Sequence, residues 1–169
     1  MTLFDFSDAD TLKSWHAIDD RVMGGISQSE MVRGGSPQPR MAIFQGIVSD
    51  SNNGGFCSVR ATLDKPIDAG TKHLWIGSQN TRQWGSKRYY LNLRTHAGFD
   101  GMSYRAAFTP HDSLTRHEFT ASEFAPVFRG RSVPDAPPLQ FTEVRQLGLM
   151  IADAQLGAFA LLIQDIGVF

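Results

Sequence analysis

QLGLMIADAQLGAFALLIQDI, residues 146–166, carries the pattern that decides the fold. Leu147, Leu149 and Ile151 fall on alternate positions before the turn-like AQLG, and Phe159, Leu161 and Ile163 do so after it. A pleated strand sends successive side chains to opposite faces, so each triplet makes one dry stripe. A helix would instead need apolar residues three and four apart. Two such stripes joined by a short turn predict a core hairpin. Leu162 and Ile166 fall on the opposite face, so the final strand is expected to be covered on both sides.

The same period recurs upstream, where Tyr89, Leu91 and Leu93 alternate with Tyr90, Asn92 and Arg94. Further strands are expected over Leu3–Phe6, Ser27–Arg33, Met41–Val48, Phe56–Thr62, His73–Gly77, Met102–Phe108, His117–Thr120, Val144–Ile151 and Phe159–Ile166. GGSPQP, SNNGG, DKPIDAG, THAGFDG and VPDAPP supply the turns between them. One short helix is predicted near the start, capped by Ser7 with Asp10 three residues later and ending near Trp15. Many short strands with one helix favour an all-β sandwich or jelly roll. At 169 residues and 41% hydrophobic content, the chain is the size of one domain, residues 1–169.

A formal net charge of −1 creates no strong field, so no nucleic-acid or anionic-membrane partner is expected. No apolar run reaches the roughly 18–20 residues of a membrane helix, so no transmembrane segment is expected. The single Cys57 excludes an internal disulfide, and the start lacks a secretory pattern, which reads as cytoplasmic. Cys57 lies in the strand-like FCSVR, where a buried, inert thiol is the expected state. The five histidines have no HxxxH or HExxH spacing, GISQS lacks the final glycine of a nucleophile elbow, and no phosphate-cradling glycine loop is present. No enzyme activity, no metal and no cofactor are therefore expected. Asp50, Asn52 and Asn53 offer oxygens to a calcium ion, but one carboxylate among amides is a poor donor set, and ordinary turn formation is the better reading.

What remains is two glycine-rich loops, DDRVMGG and SNNGG, and the arginine-bearing FRGR. Adjacent glycines permit a left-handed backbone, and Asp or Asn side chains can accept nearby backbone amides. On this reading Asp19 and Asp20 fold their own loop, or pair with Arg21 or Arg60. Met23 is more apolar than a turn requires, which suits a docking surface. The candidate surface comprises Asp19, Asp20, Arg21, Met23, Gly24, Gly25, Ser27, Asn53, Gly54, Gly55, Arg60, Arg129 and Arg131.

DDRVMGGISQS, FQGIVSDSNNGGFCSVR, YRAAF, EFAPVFRGR with PDAPPL, and QLGLMIADAQLGAFALLIQDI resemble, in order, the motifs of the CIA30 family. The family is named for an intermediate-associated protein of mitochondrial respiratory complex I. The resemblance spans nearly the whole chain, and it implies a galactose-binding-domain-like β-sandwich and a non-catalytic role in complex assembly. The implied partner is a protein, with respiratory-complex subunits the first candidates. A carbohydrate or small ligand bound at a loop end of the same fold is the alternative. The start is neither Arg-rich nor Ser-rich like a transit peptide, which suits a stand-alone bacterial member. GSQNTRQWGSKRYY departs from the family pattern, and its Trp84, Lys87, Arg88 and Tyr89 read as a hairpin ahead of a ligand-stacking platform.

Overall fold

The structure, a computed structural model, describes residues 1–20, 24–34 and 40–169, apart from the side chain of Asn53. The strands are β1 (Thr2–Asp5), β2 (His16–Ala17), β3 (Gln28–Arg33), β4 (Ala42–Val48), β5 (Cys57–Thr62), β6 (Leu74–Asn80), β7 (Tyr89–Arg94), β8 (Ser103–Phe108), β9 (Thr115–Phe119), β10 (Ala125–Phe128), β11 (Arg131–Ser132), β12 (Gln146–Ile151) and β13 (Gly157–Val168). They form two antiparallel sheets. One runs β3-β4-β13-β6-β9 with β1 also on β13, and the other runs β11-β10-β8-β7-β12-β5-β2. The period-two positions fill the space between them: Phe44, Leu161 and Ile163 from one sheet, Val59, Leu91 and Leu149 from the other. Phe44 packs edge-on against Phe159 at 4.9 Å. No helix among the described residues is long and apolar enough to cross a membrane.

The two apolar stripes of residues 146–166 do not form a hairpin. β12 pairs with β5 and β7, whereas β13 pairs with β4 and β6, so the stripes face one another across the core. Asp153 and Ala154 make this arch, with φ of 61° and 53° in the left-handed region. The apolar pattern is the same for both arrangements, because each requires one dry face per strand. Ile166 does not share the outer face of Leu162. The register shifts between Ile163 and Asp165, a bulge that resets the alternation and returns Ile166 and Val168 to the core. Leu162 remains on the other face, where it too is buried.

The stretch 81–88 is likewise no hairpin, since β6 and β7 belong to different sheets. Tyr89 is fully buried in the core, so it forms no platform with the exposed Trp84 of the crossing loop. The early helix is a 3-10 helix, Ala9–Ser14, and its cap is Asp8, whose carboxylate accepts from Asp10 N at 2.9 Å. Ser7 cannot cap it, because its own hydroxyl donates to Asp5 at 2.7 Å. Trp15 then lies on Phe4 and Phe6, plugging the end of the core.

Candidate functional site

Asp19 and Asp20 follow β2, at the edge of the seven-stranded sheet, and reach the start of β3, at the edge of the six-stranded sheet. Asp20 is fully buried and accepts from Ser27 N at 2.9 Å, the Ser27 hydroxyl, Gly55 N at 2.7 Å and Phe56 N at 3.3 Å. Asp19 accepts from Ser29 N at 2.8 Å, Ser29 Oγ at 2.6 Å and Ser58 N at 3.0 Å. Together the two carboxylates stitch the open edges of both sheets. Burial alone would raise the Asp20 carboxyl, but the hydrogen bonds from Ser27, Gly55 and Phe56 outweigh it and hold the group below the usual carboxylate range.

The paired glycines divide two tasks between them. Gly24 and Gly55 have φ of +87° and +138°, which only glycine adopts readily. Gly25 and Gly54 instead lie so close to the Asp20 carboxylate that a Cβ on either would overlap it. Gly25→Ala is therefore expected to cost about 1–3 kcal/mol, because Asp20 is pinned by its donors and cannot yield. A urea-denaturation midpoint equal to that of the parent would refute this.

DDRVMGG and SNNGG thus meet at one point, and their carboxylates are spent inside the fold. Arg60 does not pair with them. Arg21 and Met23 lie outside the described residues, as does the side chain of Asn53. Ile26 and Ile47 leave an exposed apolar margin beside this clip. Cys57, just beneath it, is buried with its thiol pushed up to about 12 by burial and then by Asp19, which leaves it inert near neutral pH.

Arg60 points instead to the outer face of the seven-stranded sheet. The register places Arg60 opposite Gly148, Gly148 opposite Asn92, and Asn92 opposite Arg105. Two residues along β7 from Asn92, on the same face, stand Arg94 at one end and Tyr90 at the other. Gly148 lies buried between Arg60 and Asn92, and a Cβ there would meet the Val59 carbonyl at 2.9 Å.

Two walls bound this row. At one end the 95–102 loop is tied down by Gln146, which donates to the carbonyls of His96 at 2.8 Å and Gly98 at 2.9 Å. Arg60 Nη1 donates to the Phe99 carbonyl at 2.7 Å. Arg129, at φ 50° in the β10-β11 turn, meets Asp100 at 2.7 Å, while Arg131 is exposed on β11 beyond it. At the other end Asp153 accepts from Tyr90 Oη at 2.7 Å and Arg88 Nη2 at 2.5 Å. The Arg105 guanidinium lies 4.4 Å from the centre of the Tyr90 ring, within cation–π range.

Arg94 is pushed down to about 10, first by burial and then by the positive charges of Arg60 and Arg105. A sheet face with three neighbouring guanidiniums can receive anionic or strongly accepting groups. Sequence reasoning marked Arg60 but passed over Asn92, Arg94 and Arg105. Their signal was the composition of the wet stripe, which holds Tyr, Asn and Arg in place of the short polar or acidic residues of an ordinary solvated face.

The family model described as complex I intermediate-associated protein 30, CIA30, matches residues 4–163. An uncharacterized protein of Schizosaccharomyces pombe is 30% identical over 176 residues, 91% of this chain and 79% of the relative. Among solved structures, the family 11 carbohydrate-binding module from Clostridium thermocellum, in complex with a beta-1,3-1,4-mixed-linked tetrasaccharide, superimposes with a TM-score of 0.73 at 13% identity, covering 99% of this chain and 94% of that one. The module TmCBM61, in complex with beta-1,4-galactotriose, gives 0.52 at 10% identity, covering 100% and 98%. The fold is a galactose-binding-domain-like β-sandwich.

Proposed function

The chain belongs to the CIA30 family, and on that premise we propose that it is a non-catalytic binding module that assists assembly of a respiratory complex by holding a protein partner. The observation that carries this reading is the outer face of the seven-stranded sheet, where Arg60, Arg94 and Arg105 stand together while the Asp19 and Asp20 carboxylates are satisfied within the fold. An interaction face needs unspent hydrogen-bonding groups, and they are concentrated there rather than at the glycine-rich loops. The loop surface read from the sequence contributes through Arg60 and Arg129, which border the same face. A non-catalytic role is supported by the family and by the fold, and by an inert Cys57.

A photo-crosslinking residue at Ala107, exposed on this face, tests the reading. In the source organism it is expected to give adducts with subunits of immature complex I, and a matching probe at Glu118, on the other sheet, none. Adducts with unrelated proteins, or equal adducts from both probes, would overturn it.

Carbohydrate binding is the second reading. Phe99 and Phe128, exposed beside Asp100 and Arg129, could stack against the apolar face of a sugar ring. Retardation of the protein in gels containing mixed-linked glucan, lost in Phe99→Ala, would favour it.

A further inference from the structure

The arginines at the margins of the seven-stranded sheet face have carboxylate partners: Arg88 has Asp153 at 2.5 Å and Arg129 has Asp100 at 2.7 Å. The three in its middle do not. Among the described residues, Arg60, Arg94 and Arg105 form no ion pair, and the undescribed residues 21–23 and 35–39 contain no acidic side chain. Among the described residues, Arg94 Nε and Arg105 Nε are buried without a hydrogen-bond partner, and Asn92, between the arginines and only 2% exposed, has an unpartnered Oδ1.

Charge repulsion works against this group, although Arg60 donates to the Phe99 carbonyl and Arg105 lies over the Tyr90 ring. Neighbouring strands lie about 4.8 Å apart, which puts β5 and β8, the outer members of the row, within about 15 Å. Three like charges that close repel, and each is partly withdrawn from water. Unsatisfied buried donors add to the cost. A ligand that brings negative charge and several acceptors removes all three penalties together.

We propose that Arg60, Arg94 and Arg105, with Asn92 between them, form an oxyanion site that takes the carboxylate of an acidic segment of the protein partner. The proposal rests on the reading of this face as a protein-binding surface. The row suits a carboxylate because guanidinium forks bond its two oxygens in parallel, while the Asn92 amide can meet a peptide group beside it. A neutral sugar is the poorer fit at this point, since Tyr90, the aromatic ring of the floor, already lies against the guanidiniums of Arg88 and Arg105.

Calorimetric titration of the full chain with a blocked Glu-rich hexapeptide, its Gln counterpart, inorganic phosphate and a neutral mixed-linked tetrasaccharide tests the site. The Glu peptide is expected to bind, more weakly as salt rises, and the Gln peptide not to bind. Arg94→Gln should weaken the Glu peptide at least tenfold while its own melting temperature stays level or rises, because a repelled charge has been removed. A purely structural arginine predicts the opposite, a lower melting temperature. Arg60→Gln and Arg105→Gln should each weaken binding, and Arg33→Gln, exposed on β3 in the other sheet, should not. Equal binding of the Glu and Gln peptides, binding of phosphate or tetrasaccharide without the Glu peptide, or unchanged affinity in all three central variants would overturn the proposal. The two readings fail separately: crosslinking of complex I subunits that survives the Arg60, Arg94 and Arg105 substitutions would sink the oxyanion site and leave the assembly role standing. Peptide binding without such crosslinks would do the reverse.

Discussion

A chain that stops at Leu156 is expected not to fold. The lost segment, β13, lies inside the six-stranded sheet with β6 along one side and β4 and β1 along the other. Removing it withdraws Phe159, Leu161, Ile163, Ile166 and Val168 from the core, all 2% exposed or less. A single large-to-small change at such a position costs about 2–5 kcal/mol, and a whole domain has only about 5–15 kcal/mol to lose. The deletion also leaves β4 and β6 with unpaired backbone edges facing a void. Far-ultraviolet circular dichroism without a β signature, and no cooperative melt, is the expected result. A truncated chain that melts cooperatively would show that β13 is dispensable. The milder Leu161→Ala should stay folded and lose about 2–5 kcal/mol in urea.

Asp20→Ala is expected to be the most damaging single change outside the apolar core, at about 3–5 kcal/mol. The backbone amides of Ser27, Gly55 and Phe56 would lose their acceptor in a buried place, at about 1–3 kcal/mol each before relaxation, and such losses are less than additive within one network. The pH dependence has a definite sign. Because the folded-state carboxyl is held below its ordinary value, its contribution is fully present above about pH 4, the unfolded-state value, and is lost as pH falls toward the lower folded value. The stability gap between parent and variant should therefore be level from pH 7 to pH 5 and shrink below pH 4. Urea denaturation at pH 7, 5 and 3 measures it. An unchanged midpoint combined with lost partner capture would instead make Asp20 a contact residue.

The two results bear on what a motif means. DDRVMGG and NNGGF, with the serines that follow each, look like a site because they concentrate polar and glycine residues. The structure puts Ser27, Ser29 and Ser58 on the Asp20 and Asp19 carboxylates, so much of the motif is the closure of a sandwich edge. The sequence reading had allowed carboxylates that accept backbone amides. It also allowed a pairing with Arg60, which the structure replaces with the Phe99 carbonyl.

Strand content and the buried thiol were both legible from the chain itself. The reason is local: pleating forces side chains to alternate, so a dry stripe declares a strand whatever it pairs with. Partnering is not local. Leu149 and Leu161 carry the same signal whether their strands lie side by side or face to face, and only the left-handed turn at Asp153 and Ala154, with the pairing of β13 to β4 and β6, selected the arch. The bulge after Ile163 was hidden for the same reason, since one inserted residue changes which face Ile166 takes without changing composition. The arginine row depends most on tertiary structure: Arg60, Arg94 and Arg105 are far apart in sequence and become neighbours only when β5, β12, β7 and β8 fall into register, a matter settled by backbone hydrogen bonds between strands that no stretch of the chain contains alone.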